Sequence, residues 1–222
     1  MTGDPGSGVP LYLAKCACSG TILYMRDWSI YVAKTKGKTP TAGIGEAISY
    51  TKSRKRALDI GCGAMSDIDT IAAAGFEYID AVDIEPTIAA IAAEKVAAGV
   101  PVTFHNMPFH AFQFHPDTYD FINAQFAIPF AGPEHIEEVM EGIRHSIKRD
   151  GVFFGTFFGY EDEWANDTAI AIHSRETIEE FFNTNEWNVH KIEESIYDSE
   201  TAGGKVKHWH VFTVIASRIA TM

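Results

Sequence analysis

Two short stretches of the chain combine carboxylates with glycines at a spacing that suits ligand binding. Asp59 precedes Gly61 and Gly63, which flank Cys62, and Asp83 follows Gly63 by twenty residues. Glycines let a backbone bend sharply and let a ligand lie against it. In nucleotide-binding α/β folds, an acid about twenty residues after such a loop meets a ribose. The residues therefore predict a site for a ligand that contains a ribose.

Two classes of ligand compete for this site. A dinucleotide loop follows the pattern GxGxxG, but Ser66 occupies the third glycine position. Asp59, two residues ahead of the first glycine, would also repel a pyrophosphate. A carboxylate there suits a ligand with a cation beside its ribose, and S-adenosylmethionine carries an ammonium, a sulfonium and a ribose diol. We therefore favour S-adenosylmethionine and keep an NAD-dependent oxidoreductase as the weaker alternative.

The elements that must position these residues alternate between strand and helix. The predicted strands are short, apolar and rich in Val, Ile, Phe or Tyr, as buried parallel strands are: Ala57–Ile60, Tyr78–Val82, Val102–His105, Tyr119–Ala124 and Val152–Phe158. The predicted helices are Thr41–Lys52, Ser66–Ala74, Glu85–Ala98, Pro133–Lys148 and Arg175–Asn183. This alternation predicts a doubly wound α/β sheet that binds its ligand at the carboxyl ends of the strands.

The two ends of the chain depart from this alternation. Trp187–Tyr197 and Val206–Ala216 flank a GlyGly pair and predict a terminal antiparallel hairpin. Residues 1–52 mix glycine, proline and aromatic residues without a clean period before the first predicted helix. The length of 222 residues favours a single domain. We expect residues 1–52 to form an N-terminal lid or helical extension and residues 56–217 to form a Rossmann-like core.

The motifs resemble those of the class I S-adenosylmethionine-dependent methyltransferases. The resemblance is carried by ALDIGCG, AVDIEP, YDFINAQFAI and RDGVFFG within Arg56–Gly159. It implies a Rossmann-like, doubly wound, seven-stranded mixed sheet, and the terminal hairpin fits that sheet. A looser similarity links the chain to small-molecule enzymes of the tellurite-resistance methyltransferase kind, through its compact size and the short loop after the third predicted strand.

The resemblance also implies which residues bind the cofactor. Asp59 would reach the ammonium, partly through backbone amides or water. Asp83 would accept both ribose hydroxyls with its two oxygens. Ile84 would lie on the adenine face. The full set of implied cofactor-binding residues is Asp59, Gly61, Cys62, Gly63, Asp83, Ile84, Asn106, Met107, Ala124 and Gln125.

Within this set, the adenine edge is the least defined part. Asn106 is the nearest polar residue for the adenine amine, and a slip of one position leaves only the backbone of Met107. Ala124 and Gln125, at the end of the fourth predicted strand, would face the sulfonium and the incoming substrate.

Met65 is expected to begin the helix after the glycine loop and to shape the wall near the methionine moiety without abolishing binding.

Methyl transfer from a sulfonium needs alignment more than it needs a fixed base, because the methyl group is already activated. His110 is our candidate for an optional base, and Gln125 is a second catalytic candidate. Candidate substrate-binding residues come from loops above the strand ends and from the N-terminal segment: Trp28, Tyr31, Phe158, Tyr160 and Trp164. The run YEDEW, Tyr160–Trp164, either cradles a cationic or polar substrate with its rings and acids or forms a solvated loop with one packed Trp.

Charge and cysteine content narrow the class of partner. The net charge of −12 argues against nucleic acid and anionic membranes, and the NPPY or DPPY signature of amino-directed nucleic-acid enzymes is missing from the run after the fourth predicted strand. We therefore expect a small-molecule acceptor. Three cysteines without framework spacing favour a reduced, cytoplasmic location. Cys16 and Cys18 alone do not make a metal site, and we expect none. A non-catalytic S-adenosylmethionine sensor or scaffold module stays open, as does the oligomeric state.

Overall fold

The computed structural model describes residues 11–15, 22–183 and 185–219, and Cys16 and Cys18 lie outside these ranges. The strands are β1 (Leu11–Lys15), β2 (Ile22–Arg26), β3 (Arg56–Ile60), β4 (Tyr78–Asp83), β5 (Val102–Asn106), β6 (Tyr119–Ala124), β7 (Ile147–Phe158), β8 (Trp187–Glu200) and β9 (Val206–Arg218). The helices are α1 (Trp28–Thr35), α2 (Ile44–Ser49), α3 (Ile68–Ala73), α4 (Ile88–Ala97), α5 (Ile136–Ser146) and α6 (Arg175–Phe181). Short 3₁₀ turns cover Phe109–Ala111 and Ile128–Ala131.

Seven strands form one mixed sheet in the order β5-β4-β3-β6-β7-β9-β8. The strands from β5 to β7 are parallel, and β9 and β8 complete the sheet in antiparallel fashion. The chain runs outward from β3 to β5 and then returns to place β6 on the other side of β3. This reversal opens a crevice at the carboxyl ends of the central strands. The predicted fold class, with its terminal hairpin, is confirmed.

Both faces of the sheet are buried, as parallel strands require. Leu58 and Ile122 face a core that includes residues of α5 and α6, while the neighbouring Ala57 and Phe121 face a second core with α2, α3 and α4. Successive residues of a strand point to opposite faces, so each central strand serves both cores. This double burial fixes the strand ends, and with them the site.

The largest error in the predicted boundaries falls at the junction of α5 and β7. The helix was expected to reach Lys148, but it ends at Ser146, and β7 begins at Ile147. The carbonyls of His145 and Ser146 accept hydrogen bonds from the loop that leads into β6, so they bond outside the helix. The start of β7 then contains an irregular register and a left-handed Asp150 with φ of 62°, which obscured its strand pattern in the sequence.

The N-terminal segment contains regular elements that its irregular composition did not predict. β1 and β2 pair as a two-stranded antiparallel sheet. α1 follows, with the Asp27 carboxylate accepting a hydrogen bond from the backbone N–H of Ser29 at its start. Lys34 of α1 donates to the carbonyl of Gly203 at the tip of the β8–β9 hairpin, at 3.3 Å. Every helix in the described ranges is too short or too polar to cross a membrane.

Candidate cofactor and acceptor site

A cavity of about 1070 Å³ opens at the carboxyl ends of the central strands. Gly61 follows β3, Asp83 ends β4, Gln125 follows β6 and Phe158 ends β7, and all four line the cavity. A smaller recess of about 100 Å³ adjoins it and shares Gly61, Gln125 and several other residues with it. The strand alternation read from the sequence thus brings residues from four separate strand ends to one place.

The glycine loop bends tightly against the end of β4. The backbone N–H groups of Gly61 and Cys62 both donate to the carbonyl of Val82, at 2.8 and 3.2 Å. Gly61 has φ of +67°, and a Cβ there would lie 2.5 Å from the Cβ of Ala127. Glycine at this position is therefore required by the left-handed backbone and by the close approach of the loop after β6.

Met65 does not have the place that the sequence suggested. It lies before α3, which begins at Ile68, and its backbone is left-handed with φ of 60°. Its side chain is fully buried in the core on the α2–α4 face and lines neither the cavity nor the recess. The expected role in shaping the wall near the methionine moiety is therefore corrected: Met65 anchors the glycine loop to the core from behind.

Asp83 links the glycine loop to the start of the next helix. One carboxylate oxygen accepts the backbone N–H of Gly63 at 2.9 Å, and the other accepts that of Glu85 at 3.0 Å. Burial is the main cause that raises the pKa of Asp83 above its ordinary value. Each oxygen keeps lone-pair capacity beyond its single backbone bond, and Asp83 lines the cavity. It can therefore hold the loop and still accept hydroxyl donors.

The recess contains two carboxylates that share one amide. Asn123 Nδ2 donates to Asp59 Oδ1 at 2.8 Å and to Asp67 Oδ2 at 3.0 Å. Thr41 adds its backbone N–H and its hydroxyl to the two oxygens of Asp67, at 2.6 and 2.9 Å. Burial, followed by repulsion from Asp67, raises the pKa of Asp59 well above its ordinary value. Two buried acids without a cation between them favour a positively charged ligand.

Two buried polar atoms beside this recess lack a hydrogen-bond partner. They are Asn123 Oδ1, an acceptor, and Gln125 Nε2, a donor. Thr156 donates its hydroxyl to Gln125 Oε1 at 2.6 Å, which leaves the amide nitrogen of Gln125 as the open group. Buried polar atoms of this kind are normally satisfied. An acceptor beside two acids and a nearby donor match the ammonium and carboxylate of an amino acid, so these residues fit the methionine end of S-adenosylmethionine.

The predicted adenine edge is occupied in a different way. The Asn106 side chain donates to the backbone carbonyls of Asp83 and Ile84, at 3.1 and 2.9 Å, and neither Asn106 nor Met107 lines the cavity. Ile84 lines it, as do Pro108 and Phe109 just beyond the predicted pair. The Asn106 amide therefore holds the loop that carries Asp83, and the role predicted for it at the adenine amine is corrected.

Cys62 and Ala124 differ in their access to a ligand. Cys62 lines the recess, and burial raises the pKa of its thiol well above the ordinary value. Ala124 is fully buried in the core on the α5 face and lines neither space. The expected contact of Ala124 with the sulfonium is therefore corrected, while Gln125, the next residue, lines both spaces.

Aromatic rings form a large part of the wall of the cavity. Trp28 meets Phe130 edge to face with 5.0 Å between ring centroids, and Phe126 meets Trp209 in the same way at 5.6 Å. Phe126 has φ of 52°, a left-handed conformation that is costly for a bulky residue. The rings of this aromatic wall are Trp28, Phe126, Phe130, Phe158, Trp164 and Trp209.

Four of the five predicted substrate-binding residues line the cavity, and the fifth does not. Trp28, Phe158 and Trp164 belong to the aromatic wall, and Tyr31 lines both the cavity and the recess. Tyr31 lies above the glycine loop, within 3.5 Å of a Cβ placed on Gly63. Burial, and then the charges of Asp83 and Asp67, raise its pKa. Tyr160 is 68% exposed and does not line the cavity, so its predicted contact with substrate is corrected.

The run Tyr160–Trp164 does surround a cation, but the cation belongs to the chain itself. Both carboxylate oxygens of Asp162 contact Lys207 Nζ, at 2.5 and 2.6 Å, and both side chains are fully buried. The same ammonium lies 4.2 Å from the ring centroid of Trp164 and 3.7 Å from that of Trp209. The substrate cradle formed by these acids is therefore replaced by an internal ion pair of Asp162. The rest of the run fits the alternative of a solvated loop with one packed Trp, because Tyr160, Glu161 and Glu163 are exposed and Trp164 is buried.

His110 lies at the cavity, stacked on a second histidine. The ring centroids of His110 and His135 are 4.1 Å apart with an interplanar angle of 14°, and both residues line the cavity. His135 falls within the predicted helix Pro133–Lys148, and in the structure it lies directly before α5. In the part of the chain that the structure describes, no group of three or more His, Cys, Asp or Glu residues could hold a metal ion.

Sequence reasoning missed several residues of the recess and of the wall. Asp67, eight residues after Asp59, offered a signal as a third acid beside the glycine loop. Asn123 is the last residue but one of β6, and it was available by the same rule that selected Gln125. Thr41 and Lys207 carried no local signal, because their partners lie 26 and 45 residues away in the chain.

Comparisons with known proteins agree with this geometry. Residues 57–151 match a family model described as a methyltransferase domain, and a comparison with curated proteins finds no match. TehB from Haemophilus influenzae shares 15% identity, with 92% of this chain and 72% of TehB covered and a TM-score of 0.67. The S-adenosylmethionine-dependent methyltransferase from Methanosarcina mazei shares 17% identity, with 82% of this chain and 99% of that chain covered and a TM-score of 0.60.

A third solved structure is the 1,6-didemethyltoxoflavin-N1-methyltransferase from Burkholderia thailandensis, with 15% identity, coverage of 81% and 79%, and a TM-score of 0.57. At these identities the structural likenesses show a shared fold, while the family model carries the assignment. The matched residues contain both acids of the glycine-loop motif, and the site fits the cofactor that the family uses. Residues 57–151 thus form a methyltransferase domain whose site is that of a class I S-adenosylmethionine-dependent methyltransferase, with S-adenosylmethionine as the cofactor.

Proposed function

We propose that the protein transfers the methyl group of S-adenosylmethionine to a small-molecule acceptor that lies against the aromatic wall. The observation that carries this proposal is the continuity of the cavity. One space of about 1070 Å³ is lined by Gly61 and Asp83 on one side and by aromatic rings on the other. Its volume lies just above the range of roughly 300–1,000 Å³ for small-molecule sites, which suits a cofactor together with a small acceptor.

The enclosed, apolar character of the aromatic wall supports a small acceptor. Phe158 is fully buried and Trp164 is 7% exposed, so these rings can contact only a molecule that enters the cavity. One protein of the same fold, the Burkholderia thailandensis enzyme, holds the small molecule 1,6-didemethyltoxoflavin together with S-adenosylhomocysteine. The net charge of −12 further disfavours a nucleic-acid acceptor. We also propose that the enzyme acts in the cytoplasm.

The side chains of the site can bind and align the two reactants. When bound, S-adenosylmethionine supplies a methyl group activated by its sulfonium. Asp59, Asn123 and Gln125 would hold its amino-acid end, and Asp83 would accept its ribose hydroxyls. The aromatic wall would exclude water and orient the acceptor, which favours in-line geometry. His110 is the proposed base for an acceptor that enters with a proton on its nucleophilic atom.

The direct test is transfer of labelled methyl. The protein is incubated with methyl-tritiated S-adenosylmethionine and a cell extract separated into small-molecule, protein and nucleic-acid fractions. Label in the small-molecule fraction alone is expected, and label confined to a macromolecular fraction would contradict the proposal. His110→Gln should slow transfer at least tenfold while leaving the affinity for S-adenosylhomocysteine within twofold; His115→Gln serves as the control.

A non-catalytic sensor or scaffold gives a different outcome in the same experiment. It would bind S-adenosylhomocysteine through Asp59 and Asp83, yet no fraction would acquire label under any condition. Calorimetric titration therefore accompanies the transfer assay. Binding without transfer would overturn the catalytic proposal, and no binding at about millimolar ligand would show that the cofactor residues are misplaced.

A further inference from the structure

A buried lysine stands directly behind the aromatic wall. Lys207 Nζ lies 3.7, 4.2 and 5.2 Å from the ring centroids of Trp209, Trp164 and Phe158. All three rings line the cavity, whereas Lys207 is fully buried and does not line it. The rings therefore separate the ammonium from the space that an acceptor would occupy.

The lysine is held in place by bonds that leave it little freedom. Asp162 contacts the ammonium with both oxygens, at 2.5 and 2.6 Å, and the carbonyl of His208 accepts a further bond at 3.2 Å. Asp162 is itself fixed by the backbone N–H groups of Trp164 and His210. Burial lowers the pKa of Lys207, and the ion pair with Asp162 opposes that shift. The pair thus forms a rigid, charged backing for the wall.

Trp209 connects this backing to the acceptor space. Its indole N–H donates to the carbonyl of Ser199 at 3.3 Å, which ties the ring to β8. Lys207 Nζ lies 3.7 Å from the centroid of the Trp209 ring, and the ring also packs edge to face against Phe126. A ring face attracts a cation through its negative quadrupole. Because Lys207 already occupies these rings and Asp162 balances its charge, the rings offer a second cation less attraction than unoccupied rings would.

We propose that the Lys207–Asp162 pair makes the aromatic wall selective for neutral planar acceptors and unfavourable to cationic ones. A neutral ring packs against Trp209 and Trp164 without drawing on the ring quadrupoles that already hold the buried ammonium, whereas a cation of the same shape depends on them. This inference rests on the proposed small-molecule function because it assumes that the acceptor occupies the cavity. It reverses the cationic substrate that the rings and acids of Tyr160–Trp164 suggested in the sequence.

Two planar bicyclic probes of the same shape and different charge test the inference: neutral 1-methylnaphthalene and cationic 1-methylquinolinium. Their dissociation constants are measured by tryptophan fluorescence in the presence of saturating S-adenosylhomocysteine. The double variant Lys207→Met/Asp162→Asn removes both buried charges together, so that neither is left unpaired. The ratio of the two constants corrects for the greater hydrophobicity of the neutral probe, because that difference is the same in every variant.

We expect the preference for the neutral probe to fall at least fivefold in this double variant. The matched control, Lys205→Met/Glu163→Gln, removes a more exposed ion pair whose lysine lies just before the strand of Lys207, and it should leave the ratio within twofold. An unchanged ratio in a folded Lys207→Met/Asp162→Asn variant that still binds S-adenosylhomocysteine would overturn the proposal. Failure of both probes to bind wild-type protein up to the solubility limit of the neutral probe would also overturn it.

A second variant keeps the test decisive if the double variant does not fold. Trp209→Leu removes the ring nearest Lys207 and should weaken the neutral probe at least fivefold while changing the cationic probe less than twofold. Equal weakening of both probes would contradict the inference. These experiments measure binding and not methyl transfer. A lack of turnover in the labelled-methyl assay would therefore reject the proposed function without changing the binding results obtained with the two probes.

Discussion

Asp59 and Asp67 accept hydrogen bonds from the same amide group, Asn123 Nδ2, at 2.8 and 3.0 Å. The two carboxylates come from the end of β3 and the residue before α3, and the amide comes from the end of β6. One neutral donor cannot neutralise two buried acids. The recess therefore favours a positively charged ligand, as expected where a site is prepared for a charged group.

Asp59→Asn should stabilise the ligand-free protein at neutral pH while weakening the cofactor. The pKa of Asp59 is raised in the folded state, so its contribution to stability is full below the unfolded pKa and is lost as pH rises through the folded pKa. Asparagine removes that loss and keeps an oxygen for Asn123. We expect the Tm, measured by calorimetry at pH 7.5, to rise by about 2–4 °C for each kcal/mol by which the free energy of unfolding increases.

The control for this substitution is Asp69→Asn. Asp69 lies in the first turn of α3, is 64% exposed and pairs with Lys95, so its loss should leave cofactor affinity within twofold. A lower Tm for ligand-free Asp59→Asn, or wild-type affinity for S-adenosylhomocysteine, would show that Asp59 is not held as a strained anion for the ligand.

Affinity for S-adenosylhomocysteine should increase as pH rises through the raised pKa of Asp59. The ligand's ammonium pairs with the ionised carboxylate, and protonated Asp59 offers only a weaker neutral contact. Isothermal titration across pH 5–8, in buffers of different ionisation enthalpy, should also show proton release on binding at the lower pH values. Asp59→Asn should flatten the profile, and an equally steep profile in that variant would assign the titration to another group.

Asp83→Ala should weaken S-adenosylhomocysteine by about 1–3 kcal/mol, the cost of lost hydrogen bonds to a charged group. Part of the loss arises because Gly63 and Glu85 also donate to this carboxylate, and the loop relaxes without it. Asp83→Asn separates the two effects, since it keeps an acceptor for the loop and removes the charge. Glu77→Ala, exposed just before the same strand, should retain wild-type affinity in the same titration.

Gly61→Ala should abolish measurable cofactor binding and lower stability. The added methyl would meet Ala127 Cβ at 2.5 Å, on a backbone with φ of +67°. Overpacking of this kind costs about 1–3 kcal/mol, and alanine at a positive φ adds to it. Gly45→Ala in α2 is the control, because nothing lies within 4 Å of its added methyl. Normal binding by Gly61→Ala would mean that the loop after β6 yields easily.

Met65→Gly should lower stability and leave the affinity for S-adenosylhomocysteine within twofold. Glycine relieves about 1–2 kcal/mol of left-handed backbone cost, but removal of a fully buried side chain of this size costs about 2–5 kcal/mol. Chemical denaturation and calorimetric titration measure the two effects separately. A tenfold gain in affinity would instead identify Met65 as an obstruction to the cofactor and restore its place at the cavity wall.

The sequence by itself determined the sheet and the residues at its strand ends. Alternating apolar strands and helices leave few topologies, because each strand must bury both faces and each crossover is right-handed. Asp59, Gly61 and Asp83 follow directly from that reasoning, since parallel strands bring their carboxyl ends to one edge. Ala124 was misplaced because a shift of one position in a strand reverses the direction of a side chain. Asn106 was misplaced because its amide bonds to the backbone after β4.

Tertiary structure alone decided how the charges of the site are matched. Asp67 gained its role through Asn123, which lies 56 residues later in the chain and shares its side-chain amide between Asp67 and Asp59. Met65 points into the core because its backbone is left-handed, which no periodicity in the sequence reveals. Lys207 met Asp162 only because the β8–β9 hairpin brings a strand 45 residues later against the loop after β7. A sequence shows which side chains carry charge, whereas burial and distance decide whether a carboxylate receives a ligand's cation or the chain's own.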